Sequence, residues 1–521
     1  MENKNKVAVN ADSDLLWYIY ESMDKDDEDY ERAIREYVRG YDKESISDLF
    51  LCCFCQTSIY PPKSRPWWAS KYYQKEENGE AVDYTGLDRI KHMVDMYGAL
   101  KDDPYDIMMD EARKMGISPY ISVRMNDGHH SGMKTSFLHD DYYYKAKNSG
   151  WFLDDKKFGE VGLYYTDHLN YEIEAARESM YDYFIETVDR YDADGFELDF
   201  MRSPWCFDYI ANPNCHEIIT DFIARVSAHV KKKSEERGRN IKLILRVPTD
   251  PNFAKTFGFD VLTLAKRGLI DIVIPSTYWH LTESALPVAE WKKLLSGTAT
   301  ELWACLEIQL IQPYRQRPET LRGFAKRYYD LGADKVYMFN YFRTRGENVE
   351  KDFERMGKVD SNYTLMFFSD ETEKWLNDCW MASTRGNEVG NLRRFVLTGR
   401  EACLVPMGEK VYTPLPLSVS EEAELTVDAG IISDGAATLL ISVEAECEPP
   451  KVLFDGENAE LISEAGESYF ENPRLHELVP APDRSAYKNL EYRINPSNDT
   501  VHKISFSGSC TVNYLEIKVR G

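Results

Sequence analysis

The chain has no stretch approaching the roughly 18 consecutive apolar residues of a membrane span. Its first residues, Met-Glu-Asn-Lys-Asn-Lys, contain no apolar core of a secretory signal. No membrane partner is expected. Basic runs are missing too: 63 Lys and Arg face 88 Asp and Glu, a formal net charge of −25. Nucleic-acid binding depends on clustered cations that release counterions from phosphates, so the composition argues against that partner. The ten cysteines show no paired spacing of the zinc-binding kind. Cys52, Cys53 and Cys55 crowd into one apolar run that reads as a buried strand, where they cannot bond to one another without breaking strand geometry. Free thiols favour a reducing compartment, so the expected location is cytoplasmic. There is no internal repeat and no low-complexity segment.

What is present describes a globular protein of more than one domain. Over 521 residues, 43% are hydrophobic and 29% charged, and a chain of that length exceeds one ordinary domain. Aromatics reach 13%, including 34 Tyr and 10 Trp. Such rings stack on the apolar C–H faces of sugars, and they also fill large cores; composition alone does not choose between the two.

The order of short apolar runs is more decisive. Strands are expected near Val7–Asn10, Asp48–Cys55, Ser118–Met125, Gly195–Phe200, Ile241–Val247, Ile272–Pro275, Leu302–Ile308 and Lys335–Asn340, separated by helical patterns. Eight strands alternating with helices predict a parallel (β/α)₈ TIM barrel, an α/β fold. The clearest helix is expected over Tyr171–Tyr191, with Ile173, Met180, Phe184 and Val188 at helical spacing. Residues 56–86 and 126–168 follow strands, so they belong to the C-terminal face where barrel enzymes build their sites. Their aromatics (Tyr60, Trp67, Trp68, Tyr72, Tyr73, Trp151) suggest ordered walls. Later the pattern turns to period two between Gly, Pro, Asn and Asp clusters, which predicts a C-terminal all-β sandwich. The expected organisation is a barrel over 1–350, a connecting segment over 351–385 and the sandwich over 386–521. No aromatic cluster stands out in a sandwich loop, so that domain reads as a brace rather than a sugar binder.

Strand alternation then sorts the side chains. In the fourth strand Phe196, Leu198 and Phe200 form the outward set, which turns Glu197 and Asp199 inward. Two acids on one inward face are hard to explain as packing, because each needs a partner. In the third strand Ile121, Val123 and Met125 face the helices, leaving Ser122, Arg124 and Asn126 inside and Asp127, His129 and His130 in the loop beyond. Arg246 is the inward residue of the fifth strand, while the seventh and eighth offer Trp303, Cys305 and Glu307, and Val336, Met338 and Asn340, as the corresponding faces. Arg124 and Arg246 can neutralise the buried acids. Together with Arg202 they can also grip an anionic substituent through forked hydrogen bonds. Adjacent histidines rarely chelate one ion, so His129 and His130 read as substrate contacts and neither metal nor cofactor is expected.

The segment Asp194-Gly195-Phe196-Glu197-Leu198-Asp199-Phe200-Met201-Arg202 resembles the fourth-strand motif of the bacterial family 10-like glycosyl hydrolases. Ser122-Val123-Arg124-Met125-Asn126-Asp127, Leu245-Arg246-Val247-Pro248, Ile274-Pro275-Ser276 and Met338-Phe339-Asn340-Tyr341-Phe342 are similar to the same group. The resemblance spans roughly residues 5–345 and implies a barrel related to retaining glycosidases. The fourth strand is also similar to that of the alpha-amylase superfamily, with Glu197 in its arginine slot and no fifth-strand acid beside Arg246. Chitinases place an acid two residues past the last Asp of this strand, where Met201 stands here.

Glycoside hydrolysis needs two carboxyl groups flanking the scissile bond, about 5–5.5 Å apart for retention and farther for inversion. Glu197 and Asp199 stack in depth on one strand and make a poor pair. The expected reaction is hydrolysis of an oligo- or polysaccharide, including one that carries acidic groups. Asp199 is expected as nucleophile or charge stabiliser, Glu307 as first choice of general acid and Asp127 as second, with Glu197 orienting Asp199 or an arginine. Arg124, Asn126, His129, His130, Arg202, Arg246, Tyr278, Trp279 and Asn340 are expected to contact the carbohydrate. Two other classes fit the same scaffold: a non-catalytic glycan-binding protein and a metal-dependent barrel enzyme. The sequence leaves homo-oligomer formation open.

Overall fold

In the computed structural model the eight apolar runs become one closed parallel barrel. The structure describes residues 7–12, 16, 19, 23, 29–41, 43–55, 57–65, 67, 69, 88–128, 140–153, 167–201, 204–207, 212, 215–276, 286–307, 318–339, 363–368, 417–432, 435–464, 487–512 and 514–520. In chain order the strands are β1 (Val7–Ala11), β2 (Ile46–Cys52), a small hairpin of β3 (Phe54–Cys55) and β4 (Thr57–Ser58), then β5 (Ser118–Arg124) and β6 (Gly195–Asp199). They continue with β7 (Lys242–Pro248), β8 (Ile272–Ser276), β9 (Glu301–Glu307) and β10 (Lys335–Phe339). Hydrogen bonding closes the barrel in the order β1-β10-β9-β8-β7-β6-β5-β2. The barrel strands are buried on both faces, as parallel strands covered by helices must be.

Two apolar sets confirm which way the strands face. Ile121, Val123, Phe196, Leu198, Leu243, Leu245 and Val247 join the large core between strands and helices. Inside the barrel, Phe50 stacks on Tyr120 with ring centroids 4.6 Å apart, and Tyr337 and Trp303 meet Phe50 edge-on at 5.0 Å and 6.0 Å. These four rings plug the lower barrel. Beneath them Lys335 pairs with Asp48 and lies 4.6 Å above the Trp303 ring. β10 departs from the expected alternation: Val336 and Met338 face the helices, whereas Tyr337 and Phe339 face inward. Every residue of Val336–Phe339 is apolar or aromatic, so period two carries no directional signal there.

Local chemistry sets the element boundaries. The expected helix at Tyr171 starts later, as Glu174–Arg190, because Asn170 turns the chain first: its side chain accepts the Glu172 N–H at 2.9 Å. Tyr191 then leaves in an extended conformation (φ −98°, ψ 136°), which delivers the chain to β6. Gly195 opens that strand because a Cβ there would lie 2.7 Å from the Lys242 carbonyl and 2.8 Å from the Tyr120 ring. The helix Pro104–Lys114 starts on Asp103, whose carboxylate accepts the Tyr105 N–H, with Pro104 at the first turn.

The C-terminal region is all-β, in β11 (Tyr363–Phe368), β12 (Leu417–Val419), β13 (Glu422–Val427), β14 (Ala436–Glu444), β15 (Lys451–Phe454), β16 (Glu457–Asn458), β17 (Glu460–Ser463), β18 (Tyr487–Ile494), β19 (His502–Ser507), β20 (Cys510–Val512) and β21 (Tyr514–Arg520). One sheet runs β11-β21-β14-β18-β17 and a second β13-β19-β15-β16, with β12-β20 as a separate pair. Their inner residues, among them Leu439, Ile441, Leu490, Ile504, Phe506 and Ile517, form a second core. β11 lies in the segment 351–385, so that segment contributes an edge strand to the sandwich. Among the described residues no helix is long and apolar enough to cross a membrane.

Candidate active site

The polar inward residues gather at the strand ends above the aromatic plug. Register aligns Arg124 of β5, Asp199 of β6 and Arg246 of β7 side by side. Asp199 is 1% exposed. Arg246 Nη1 lies 3.0 Å from both of its oxygens, and the Met201 N–H donates to Oδ1 at 2.8 Å. Arg246 is itself aimed by two contacts: its Nε donates to Ser276 Oγ at 2.8 Å, and its guanidinium carbon lies 3.5 Å from the Phe339 ring centroid. A planar cation clamped on a ring face and a hydroxyl loses little freedom on holding the carboxylate.

One step deeper, Glu197 accepts hydrogen bonds at Oε2 from Ser122 and, at 3.2 Å, from the Tyr337 hydroxyl. Its Oε1 has no partner among the described residues. Burial first, and then the charge of Asp199, push this carboxyl up to about 8, so at neutral pH it is a neutral acid beside a charge-paired one. Cys52, on β2 next to Ser122 in register, is pushed up to about 12 by burial and stays a thiol.

A second charged group forms the neighbouring rim. Arg124 reaches Asp12 at 2.6 Å and Asp127 at 3.3 Å, and the Arg124 and Asp127 side chains are closed to solvent. His168 packs beside Trp205 with rings 5.8 Å apart, and burial lowers it to about 4, so it is neutral. Asn126 uses its carboxamide on backbone: Nδ2 donates to the Trp205 carbonyl at 2.6 Å, and Oδ1 accepts the Leu169 N–H at 2.9 Å. It ties two loops to the end of β5.

Of the residues singled out from sequence, Asp199, Glu197, Arg124 and Arg246 therefore converge, with Asp127 on the rim and Asn126 serving the loops. Glu307 is the last residue of β9, opposite Phe339 in register; its side chain lies outside the described residues, as do His129, His130, Arg202, Tyr278, Trp279 and Asn340. Asp12, Tyr337 and Asn10 were not singled out. Asn10 and Asp12 follow Ala8 at steps of two along β1, and a polar pair ending a strand of Val and Ala was the available signal.

No protein-family model and no curated protein matches the chain. Among solved structures it is similar to alpha-L-fucosidase isoenzyme 2 from Paenibacillus thiaminolyticus, at 10% identity over 68% of this chain and 48% of that one, with a TM-score of 0.41. It spans about half of that protein's length. It is also similar to the PgaB (BpsB) glycoside hydrolase domain from Bordetella bronchiseptica, at 12% identity over 68% and 99% of the two chains, with a TM-score of 0.40. A third similar structure is a glycoside hydrolase family 18 N-acetylglucosaminidase from Paenibacillus barengoltzii, at 10% identity over 67% and 100%, with a TM-score of 0.36.

Proposed function

We propose that the protein is a glycoside hydrolase that cleaves an oligo- or polysaccharide at the C-terminal mouth of its barrel. The observation that carries this reading is the Asp199 carboxylate, fixed through both oxygens by the ring-clamped Arg246 at the end of β6, beside a second carboxyl that is neutral. An anionic oxygen held rigidly in a buried site is what an oxocarbenium-like transition state requires opposite the anomeric carbon. Asp199 takes that role. Glu307 is the general acid: its proton passes to the glycosidic oxygen as the C–O bond breaks, and water then leaves its hydroxyl on the anomeric carbon and returns its other proton to Glu307. Asp127 is the weaker choice of acid, because Arg124 faces its carboxylate. Where the substrate carries an acidic group, Arg202 is its candidate partner, since Arg124 and Arg246 already face acids of the chain.

The test is a hydrolysis screen on aryl glycosides and polysaccharides, neutral and acidic, with wild type beside Asp199→Asn and Glu307→Gln. The expected outcome is cleavage of one substrate class by wild type and a loss of kcat of about 10²-fold or more in each variant. Full activity in Asp199→Asn removes the role given to Asp199. Glycan binding by all three proteins without cleavage replaces the enzyme by a binding protein.

A further inference from the structure

Between the aromatic plug and the charged rim, the barrel holds polar atoms that no described residue satisfies. Asn10 is 1% exposed, and neither Nδ2 nor Oδ1 has a partner among the described residues. Glu197 is fully buried, and its Oε1 is likewise unpartnered. A buried donor or acceptor left without a partner carries the full desolvation cost of that group, and natural interiors rarely tolerate one without a reason. Structural use accounts for the neighbours: Asn126 spends its amide on backbone and Asp199 its oxygens on Arg246 and Met201. Among the described residues nothing of that kind accounts for Asn10.

Its position is informative. Asn10 follows Ala8 on the inward face of β1, and Ala8 pairs in register with Tyr337, whose hydroxyl donates to Glu197. Two residues farther along, Asp12 belongs to the rim with Arg124. Asn10 thus lies between these two levels, beside Phe50 in register and near the strand end where barrel enzymes place substrate contacts. Glu197 Oε2 already meets two hydroxyls of the protein, so Oε1 is the oxygen left open to a ligand. Together these groups offer a donor and an acceptor side by side on one carboxamide, plus the open Oε1 of Glu197. Hydroxyl groups both donate and accept, so two adjacent hydroxyls complement this set.

We infer that Asn10 is a substrate-contacting residue whose carboxamide, with the free Oε1 of Glu197, hydrogen-bonds two adjacent hydroxyls of the bound sugar. This rests on the hydrolase reading and names the group that holds the ring against Asp199. It also gives the buried amide a partner that the described residues do not supply, with stability given up for a contact made only with ligand.

The test combines stability and kinetics. Asn10→Leu replaces the amide by an apolar group of similar shape, and Asn10→Ala covers the case in which leucine does not fit. Melting temperatures are measured for both, with kcat and KM on whichever p-nitrophenyl glycoside the wild type hydrolyses. The expected result is an unchanged or higher melting temperature, by roughly 1–3 °C for leucine, with KM raised about tenfold or more and kcat within about threefold. An unchanged KM in both variants overturns the inference. So does a melting temperature several degrees lower in both with KM unchanged, since the amide then serves the fold. Where the wild type hydrolyses none of these glycosides but a methyl glycoside raises its melting temperature, loss of that shift in the Asn10 variants upholds the contact and sinks the hydrolase reading alone. Absence of both hydrolysis and any such shift in the wild type overturns the contact as well.

Discussion

Glu197 carries a pH dependence whose sign follows from its surroundings. An ordinary glutamate titrates at 4.5, and burial with the nearby Asp199 charge moves this one up to about 8. Between those values the folded protein holds a proton that the unfolded chain has released, so raising the pH favours unfolding. The contribution is complete below pH 4.5, declines through the window and is gone above about 8. Glu197→Gln keeps an oxygen to accept from Ser122 and Tyr337 but has no proton to lose. The melting temperature of Glu197→Gln relative to wild type is therefore expected to rise by roughly 2–5 °C between pH 5 and 8.5. Melting curves that run parallel across that range would contradict the neutral state assigned to Glu197. At this scale the sequence was readable where a charge interrupts an apolar alternation, as at Glu197 and Asp199. It was weaker for Asn10 and Asp12, because in the five residues Val7–Ala11 only Ala8 precedes them on the inward face and the polar pair at the strand end was the whole signal. Partners were not readable either: Arg246 could have served Glu197, Asp199 or a ligand until its 3.0 Å contacts to Asp199 chose among them.

Elements were legible to the extent that their two faces differ. β6 alternates apolar with polar or small residues, and β5 and β7 carry a polar residue on the inward face at Ser122, Arg124 and Arg246; their outward sets Ile121-Val123, Phe196-Leu198 and Leu243-Leu245 all pack against helices. β10 does not alternate, and its face was settled by packing, since Tyr337 and Phe339 complete the interior that Phe50, Tyr120 and Trp303 begin. The same packing makes Gly195 a sequence requirement. Tyr120 lies flat on Phe50, with an interplanar angle of 7°, and so cannot swing away from a new methyl group without losing that stack. The Lys242 carbonyl on the other side belongs to the barrel ladder and cannot move either. Gly195→Ala is expected to destabilise the barrel by about 1–3 kcal/mol, the usual cost of overpacking. Urea denaturation should show a lower midpoint with an unchanged slope. A midpoint equal to wild type would mean that the Tyr120 ring relaxes at no cost.

At the scale of the whole molecule, the sandwich is joined to the barrel by side chains that leave the barrel surface. The helix Pro318–Asp330, which connects β9 to β10, presents Arg327 and Asp330 to the turn after β13. Arg327 is 1% exposed, donates to the Asp428 carbonyl and stands 3.5 Å from the Asp428 carboxylate. Asp330 accepts the Ile431 N–H at 2.7 Å, and Gly430 between them (φ +74°) fits because a Cβ would lie 2.8 Å from the Asp330 carboxylate. A buried arginine that donates to the backbone of the sandwich is a fixed joint, unlike a surface ion pair that water can replace. This geometry supports bracing, and it puts the brace on the helix that follows the strand bearing Glu307. Arg327→Ala removes the donor from the half-buried Asp428 carbonyl, a loss of ~2–3 kcal/mol for a charged hydrogen bond. Calorimetry should then show a lowered melting temperature with the two domains unfolding in separate steps, and a protease should cut between them sooner. Arg327 lies on the outer side of a barrel helix, away from the mouth, so KM should change little while thermal inactivation of hydrolysis comes at a lower temperature. A variant that keeps the wild-type transition would show that the sandwich is merely tethered, and its surface would then have to be tested for glycan binding in its own right.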